Sequence, residues 1–125
     1  MTTGIIIVDH GSRMAESNQL LESVAAAFAS RFATRFLIVE PAHMELAQPT
    51  IADAYAKCVQ RGAAHITVVP YFLGPGKHWT KDIPALAAAA AIAHPGTTFN
   101  VTACLGCDDA LLNLLARRVE ESKHP

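Results

Sequence analysis

The sequence predicts an α/β protein, a three-layer α/β/α sandwich built around a four-stranded parallel sheet. Apolar runs rich in β-branched residues alternate four times with helical patterns of ten or more residues. This alternation is typical of right-handed βαβ crossovers, which place helices on both faces of one sheet. With 125 residues and 51% hydrophobic content, residues 1–125 are predicted to form a single compact domain.

The first half of the chain predicts two strands and two helices. Residues 4–8 are a continuous β-branched run, which indicates a strand covered on both faces. Apolar residues at every fourth position then predict an amphipathic helix. They are Leu20, Val24, Phe28 and Phe32. Residues 35–40 predict a second strand that ends at Pro41, and Pro49 is expected in the first turn of a helix that stops at Gly62.

The second half repeats the pattern. Residues 65–72 predict a third buried strand, and the alanine-rich residues 83–93 predict a helix capped by Asp82. Residues 97–103 alternate as a fourth strand. Asp108 is the expected cap of a final helix. The apolar stripe of that helix is Leu111, Leu112, Leu115 and Val119.

Charge and composition exclude several classes of protein. The chain has ten Lys and Arg against eleven Asp and Glu, so it lacks the net positive charge that would attract nucleic acid. The longest apolar run, residues 85–93, is shorter than the roughly 20 residues that cross a bilayer, and residues 1–8 lack the features of a secretion signal. Three cysteines fit a reducing compartment. We therefore expect a soluble cytoplasmic protein with neither nucleic acid nor membrane as a partner.

Three predicted strand-to-helix loops each carry an imidazole. His10 follows the first strand, His43 the second and His78 the third, and Glu45 adds a carboxylate to the second loop. In parallel α/β sheets such loops line the ligand crevice at the carboxyl ends of the strands. Imidazole and carboxylate together suit divalent Fe, Co, Ni or Zn, and neutral histidine accepts protons near pH 7. A metal site is predicted at this edge, with His43 either part of it or only flanking it.

Other polar residues near this edge have open roles. Arg13 and Lys77 are positioned to pair with substrate carboxylates, although solvated surface charge explains them equally well. Cys104 and Cys107 have the Cys-x-x-Cys spacing of redox and zinc sites. A single pair supplies only two of the four ligands of a closed zinc site, so its role is left open.

Four motifs, at residues 8–13, 45–51, 70–78 and 82–84, resemble those of the short sirohydrochlorin cobaltochelatases and ferrochelatases, the type II chelatases. The resemblance extends from residue 4 to about residue 118. It implies a single-lobe chelatase-like fold that works as a homodimer, the two subunits mimicking the two lobes of longer relatives. The implied activity is insertion of Co²⁺, with Fe²⁺ or Ni²⁺ as alternatives, into sirohydrochlorin in cobalamin or sirohaem biosynthesis, without an organic cofactor.

The resemblance also implies roles for individual residues. His10 and His78 correspond to the family's catalytic and metal-binding histidines, and Glu45 to its metal-site glutamate. The substrate-binding positions are assigned to Ser12, Arg13, Gly74 and Lys77. His43 departs from the family pattern, and the resemblance gives it no role.

The same residues leave three alternatives to this function. A non-catalytic carrier of metal or tetrapyrrole would use the same residues. A histidine-based phosphoryl-transfer enzyme is disfavoured because Asp9 puts negative charge beside His10, where phosphate would need a cation. A redox module would depend on Cys104 and Cys107.

Overall fold

The computed structural model describes residues 2–77 and 79–123. Its elements alternate along the chain: β1 (Thr3–Asp9), α1 (Ala15–Arg31), β2 (Ile38–His43), α2 (Ile51–Gln60), β3 (His65–Pro70), α3 (Trp79–Ala93), β4 (Thr98–Val101) and α4 (Asp109–Ser122). The strands are parallel in the order β2-β1-β3-β4, which confirms the predicted α/β fold. Over these two ranges, no helix has the length and apolar character that crossing a bilayer requires.

The central strand β1 is buried on both faces. Ile5 and Ile7 pack on one side, in a cluster with Leu21 of α1. Ile6 and Val8 point to the opposite side, into a larger cluster with α2 and α3. Because successive side chains of a strand point to opposite faces, this apolar run joins two cores. The three-layer arrangement is thereby confirmed, with α1 in one layer and α2 and α3 in the other.

The buried face of α1 differs from the predicted stripe. Leu21 and Ala25 are buried, whereas Leu20 is 63% exposed, so the prediction for Leu20 was wrong. A step of four residues overshoots one helical turn of 3.6, so a stripe repeated every four residues drifts around the helix. Of the predicted stripe, Phe28 packs against the cluster on this face of the sheet.

The second strand lies three residues later than predicted. Pro41 was expected to end it, but Pro41 lies inside β2 and pairs with Ile7 of β1. Because β2 is an edge strand, the missing N–H of a proline can face away from the sheet without loss of a ladder hydrogen bond. The strand therefore continues to His43, one residue before the site loop.

Helix α2 begins at Ile51, two residues after Pro49, which was expected in its first turn. Thr50 is its cap: the Thr50 hydroxyl accepts a hydrogen bond from the Asp53 N–H at 3.1 Å, and the Asp53 carboxylate accepts one from the Thr50 N–H at 3.0 Å. This reciprocal capping box satisfies two N–H groups that the helix leaves free. Pro49 thus precedes the helix.

Helix α3 begins at Trp79, four residues before the predicted start. The Trp79 indole stacks on the Phe72 ring, with centroids 4.7 Å apart and planes 6° from parallel. This contact holds an additional turn of helix against the end of β3. Pro84 consequently lies inside the helix instead of in its first turn.

Helix α4 begins at its predicted cap, because the Asp108 carboxylate accepts a hydrogen bond from the Ala110 N–H at 2.9 Å. Every residue of α4 remains at least partly exposed. The predicted apolar stripe is therefore open to solvent, and Leu115 is 63% exposed. An amphipathic helix whose apolar face is exposed is a candidate surface for contact with another protein.

We predict that Gly4→Ala destabilises the protein. A Cβ at this position of β1 would lie 2.9 Å from the Cys58 Cβ and 3.1 Å from the Ala63 Cβ, so α2 would have to move away from the sheet. Overpacking of this kind lowers the free energy of unfolding by about 1–3 kcal/mol, measurable by urea denaturation. Gly74→Ala is the control, because a Cβ there meets nothing within 4 Å. An unchanged urea midpoint for Gly4→Ala would contradict the packing of α2 on β1.

Candidate functional site

The topology indicates that a ligand crevice lies beyond the carboxyl ends of β1 and β3. These strands are neighbours, yet the chain leaves β1 through α1 on one face and leaves β3 through α3 on the other. Loops that diverge in this way leave the space in which doubly wound sheets bind ligands. His10 follows β1 and Glu45 follows β2, so both lie at this edge.

His10 and Glu45 form a close pair at the crevice. The His10 Nε2 lies 3.2 Å from the Glu45 Oε1, and both side chains are 54% exposed. Two donor atoms that bind one ion at about 2.1 Å lie about 3.0–3.4 Å apart at coordination angles of about 90–110°. The pair therefore has the spacing of two ligands of one metal ion. The His10 Nδ1 lies 3.3 Å from the Gly11 carbonyl oxygen, and in the tautomer that donates from Nδ1 the Nε2 lone pair is available to a metal ion.

Backbone hydrogen bonds join the loops that carry this pair. The Met44 N–H donates to the Asp9 carbonyl at 2.8 Å, and the Glu45 N–H donates to the His10 carbonyl at 3.1 Å. Gly11 has φ 91°, and a Cβ there would overlap the Glu45 carbonyl oxygen. Only glycine meets both requirements, so Gly11 is what permits the two loops to approach this closely.

The residue after Glu45 has an unusual backbone conformation. Leu46 adopts φ 69°, a left-handed conformation that costs a non-glycine residue about 1–2 kcal/mol. The Leu46 side chain is exposed, so its packing does not explain the turn. Leucine carries no local signal for such a turn, and for this reason the sequence did not identify the position.

His43 is fully buried and is not at the crevice surface. Its Nδ1 lies 2.6 Å from the Asp9 Oδ1, and its Nε2 lies 3.4 Å from the Glu22 Oε2. Its imidazole faces the interior between β1 and α1, although the sequence had grouped it with the imidazoles of the crevice. Of the two interpretations left open, a residue that flanks the site is the one that the structure matches.

The remaining predicted site residues have varied surroundings. The Ser12 hydroxyl accepts a hydrogen bond from a backbone N–H two residues on, and the Arg13 and Lys77 side chains are exposed. Gly74 is exposed with open space around its Cα, so packing within the chain does not require a glycine there. His78 lies outside the described residues, and its part in the site stays a prediction.

The loop between β4 and α4 also reaches this edge, where it is bonded to the loop after β3. The Leu105 N–H donates to the Phe72 carbonyl and the Gly106 N–H to the Leu73 carbonyl, both at 2.8 Å. The Cys-x-x-Cys segment that contains these residues is therefore attached to the loop after β3. No local sequence pattern predicts such main-chain bonds, because they depend on which strands are neighbours.

The cysteines do not add a metal centre in the described part of the chain. Within residues 2–77 and 79–123, no three His, Cys, Asp or Glu side chains converge as a group that could hold a metal ion. Cys104 is partly buried and Cys107 is exposed, both as free thiols. Burial raises the pKa of the Cys58 thiol to about 12, and Glu40 nearby adds to the increase. Cys58 is thus a neutral residue of the core.

Comparison with known proteins extends these observations. Residues 4–122 match the family named CbiX. The chain is 50% identical over 117 residues to the chloroplastic sirohydrochlorin ferrochelatase of Arabidopsis thaliana, an alignment that covers 94% of this chain and 51% of that protein. It is 30% identical over 125 residues to the sirohydrochlorin cobaltochelatase of Saccharolobus solfataricus, with coverage of 95% and 94%.

Among solved structures, the fold resembles SirB from Bacillus subtilis with Fe³⁺. The TM-score is 0.85 at 29% sequence identity, and the match covers 100% of this chain and 49% of that one. The chain thus spans about half the length of the Arabidopsis and Bacillus proteins and nearly all of the Saccharolobus protein. The resemblance inferred from the four sequence motifs is confirmed by these matches.

We predict that Gly11→Ala weakens Co²⁺ binding, because the added Cβ would drive the His10 loop away from Glu45. Gly96→Ala is a matched control: its φ of 89° is nearly the same, but a Cβ there meets nothing within 4 Å. Backbone strain of about 1–3 kcal/mol should therefore appear in the urea unfolding of both variants. Loss of Co²⁺ affinity in calorimetric titration should appear only in Gly11→Ala, and equal affinity in the two variants would disprove the assigned role of Gly11.

Proposed function

We propose, from the premise that this chain belongs to the CbiX family, that it is a class II chelatase that inserts a divalent metal ion into sirohydrochlorin. The main observation behind this proposal is the distance of 3.2 Å between the His10 Nε2 and the Glu45 Oε1 at the carboxyl edge of the sheet. The names of the relatives, which include a ferrochelatase and a cobaltochelatase, support the substrate class. The proposal treats residues 1–125 as one chelatase-like domain.

The reaction requires a hydrated dication to lose water and two pyrrole N–H protons to leave. In the proposal, His10 and Glu45 hold the ion as a metal substrate. Two ligands on half-exposed side chains leave coordination positions open, first for water and then for the pyrrole nitrogens. An ion held this loosely can be passed on to the macrocycle. Imidazole and carboxylate do not select among Co²⁺, Fe²⁺ and Ni²⁺; Co²⁺ is our first candidate.

Proton removal is assigned to the histidines. Two protons leave the macrocycle for each ion that enters, and the base that accepts them works best with a pKa near the working pH. Imidazole has this property. The family resemblance assigns His78 to the site with His10, so one of the two can act as base while the other remains on the metal. This chemistry needs no organic cofactor.

Sirohydrochlorin carries acidic side arms around an apolar macrocycle. Arg13, after β1, and Lys77, after β3, are exposed cations on the two loops that flank the crevice, and they are proposed to bind the carboxylates. Ser12 and Gly74 lie on the same loops. The largely exposed Leu73 is an apolar surface on which the face of the macrocycle could rest.

A second copy of the chain is the proposed partner. The open apolar stripe of α4 is a surface that a second subunit would cover, and relatives about twice as long as this chain occur beside one of equal length. A homodimer would bring two lobes together, as the longer relatives do within one chain. The free thiols of Cys58, Cys104 and Cys107 support our proposal of a reducing, cytoplasmic location.

We predict that His10→Ala lowers the rate of Co²⁺ insertion into sirohydrochlorin by at least about 100-fold, because it removes a metal ligand or base. Glu45→Gln should lower the rate by about 10- to 100-fold, because it keeps the shape but loses the charge. The rate is followed by the change in sirohydrochlorin absorbance. His65→Ala is the control, since His65 starts β3 at the opposite edge of the sheet. An unaltered rate in His10→Ala and His78→Ala would remove the site assignment.

The same assay separates an enzyme from a carrier. Trace amounts of an enzyme convert excess Co²⁺ and sirohydrochlorin over many turnovers. A carrier binds one equivalent of metal or tetrapyrrole and leaves the insertion rate at its uncatalysed value. Stoichiometric binding without turnover would therefore replace the proposed function by the carrier.

We predict that Leu115→Glu on α4 shifts the protein from dimer to monomer, because a buried unpaired carboxylate opposes association. The measurement is molar mass by light scattering after size-exclusion chromatography. Leu20→Glu on α1 is the matched control, since Leu20 and Leu115 are equally exposed at 63%. Dissociation by Leu20→Glu and not by Leu115→Glu would place the interface elsewhere.

A further inference from the structure

We propose that His43 is a positioning residue for metal insertion, whose buried imidazole holds the His10 loop in register with Glu45. The inference rests on the proposed function, because it assigns His10 and Glu45 to one metal ion. Neither the motifs nor the family resemblance gives His43 a role. Its burial and its two acidic partners carry the proposal.

The His43 ring is enclosed and has an acidic partner at each nitrogen. Its exposed fraction is 0%, with the Asp9 Oδ1 2.6 Å from Nδ1 and the Glu22 Oε2 3.4 Å from Nε2. Burial of a polar ring is costly unless such partners are present. The imidazole thus connects the last residue of β2 to the last residue of β1 and to α1.

The contact with Asp9 is the one that reaches the site. Asp9 directly precedes His10, and its carbonyl accepts the hydrogen bond from the Met44 N–H. Two neighbouring residues therefore hold Asp9: His43 contacts its side chain, and Met44 is hydrogen-bonded to its main-chain carbonyl. Its carboxylate is only 19% exposed, so loss of the imidazole would leave a largely buried charge without this partner. Reorientation of Asp9 toward solvent would displace the backbone of His10.

The two contacts of His43 can be separated by substitution. An asparagine side-chain nitrogen occupies the place of Nδ1, and a glutamine nitrogen reaches the place of Nε2. His43→Asn therefore keeps a donor for Asp9 and loses the contact with Glu22, whereas His43→Gln does the reverse. If the His43 ring only fills the core, the Asn, Gln and Ala variants will lose Co²⁺ affinity only to the extent that each loses stability.

The test compares the three variants with the wild-type protein. We measure the visible absorption spectrum and affinity of bound Co²⁺, kcat and KM for insertion into sirohydrochlorin, and urea unfolding. His43→Ala and His43→Gln should lose about 10- to 100-fold in Co²⁺ affinity and in kcat, with little change in KM for sirohydrochlorin. His43→Asn should restore most of both losses and the wild-type Co²⁺ spectrum.

Two results would overturn the proposal. One is a wild-type Co²⁺ spectrum and kcat in His43→Gln, and the other is a loss in all variants that follows their unfolding free energies. If His43→Gln does not fold, Asp9→Ala and Glu22→Ala test the same two contacts from the partner side. Loss of Co²⁺ affinity is then expected for Asp9→Ala alone, and equal effects of the two contradict the proposal.

Failure of the proposed function gives a different result. Without turnover by the wild-type protein, the chelatase assignment fails, while the Co²⁺ spectrum and affinity still decide the role of His43. Rescue by His43→Asn and not by His43→Gln supports positioning of the pair in that case too. Equal Co²⁺ spectra in all variants overturn it.

Discussion

The site depends on two main-chain hydrogen bonds that continue the pairing of β1 and β2 beyond the ends of the strands. The Met44 N–H reaches the Asp9 carbonyl and the Glu45 N–H reaches the His10 carbonyl. These bonds set the separation of two side chains that are far apart in the sequence. They form only because Gly11 places no Cβ between the loops. The His10–Glu45 pair is thereby built on the rigid end of a sheet, where strand register limits the error in its geometry.

The interior of β1 contributes to the core, whereas the end of β1 leads into the site. Alternate residues of β1 join the cluster on α1 and the cluster on α2 and α3, so the central strand cannot shift without disturbing both. Its last residue, Asp9, is bound to the buried His43, whereas the next residue, His10, is half exposed. The change from enclosed to open therefore occurs within one peptide bond, which keeps the His10–Glu45 pair accessible yet firmly supported.

The local sequence pattern predicted which segments are strands and which are helices, but it misplaced the ends of several of them. The β-branched run of β1 and the cap at Asp108 were interpreted correctly, because burial on two faces and capping are local signals. The predicted end of β2 at Pro41 was wrong, because a proline interrupts a strand inside a sheet but can be accommodated in an edge strand such as β2. The early start of α3 reflects the stacking of Trp79 on Phe72, a contact outside any helical period.

The sequence by itself determined the order of elements, the parallel sheet and the expectation that His10 and Glu45 share one edge, because parallel strands end on the same side. Tertiary structure alone decided that these two side chains meet at 3.2 Å and that His43 turns inward to Asp9 and Glu22. The physical reason is that periodicity and turn chemistry act between near neighbours in the chain. Loop-to-loop distance and the direction of a side chain depend on strand register and on the packing of α1, which no single segment encodes.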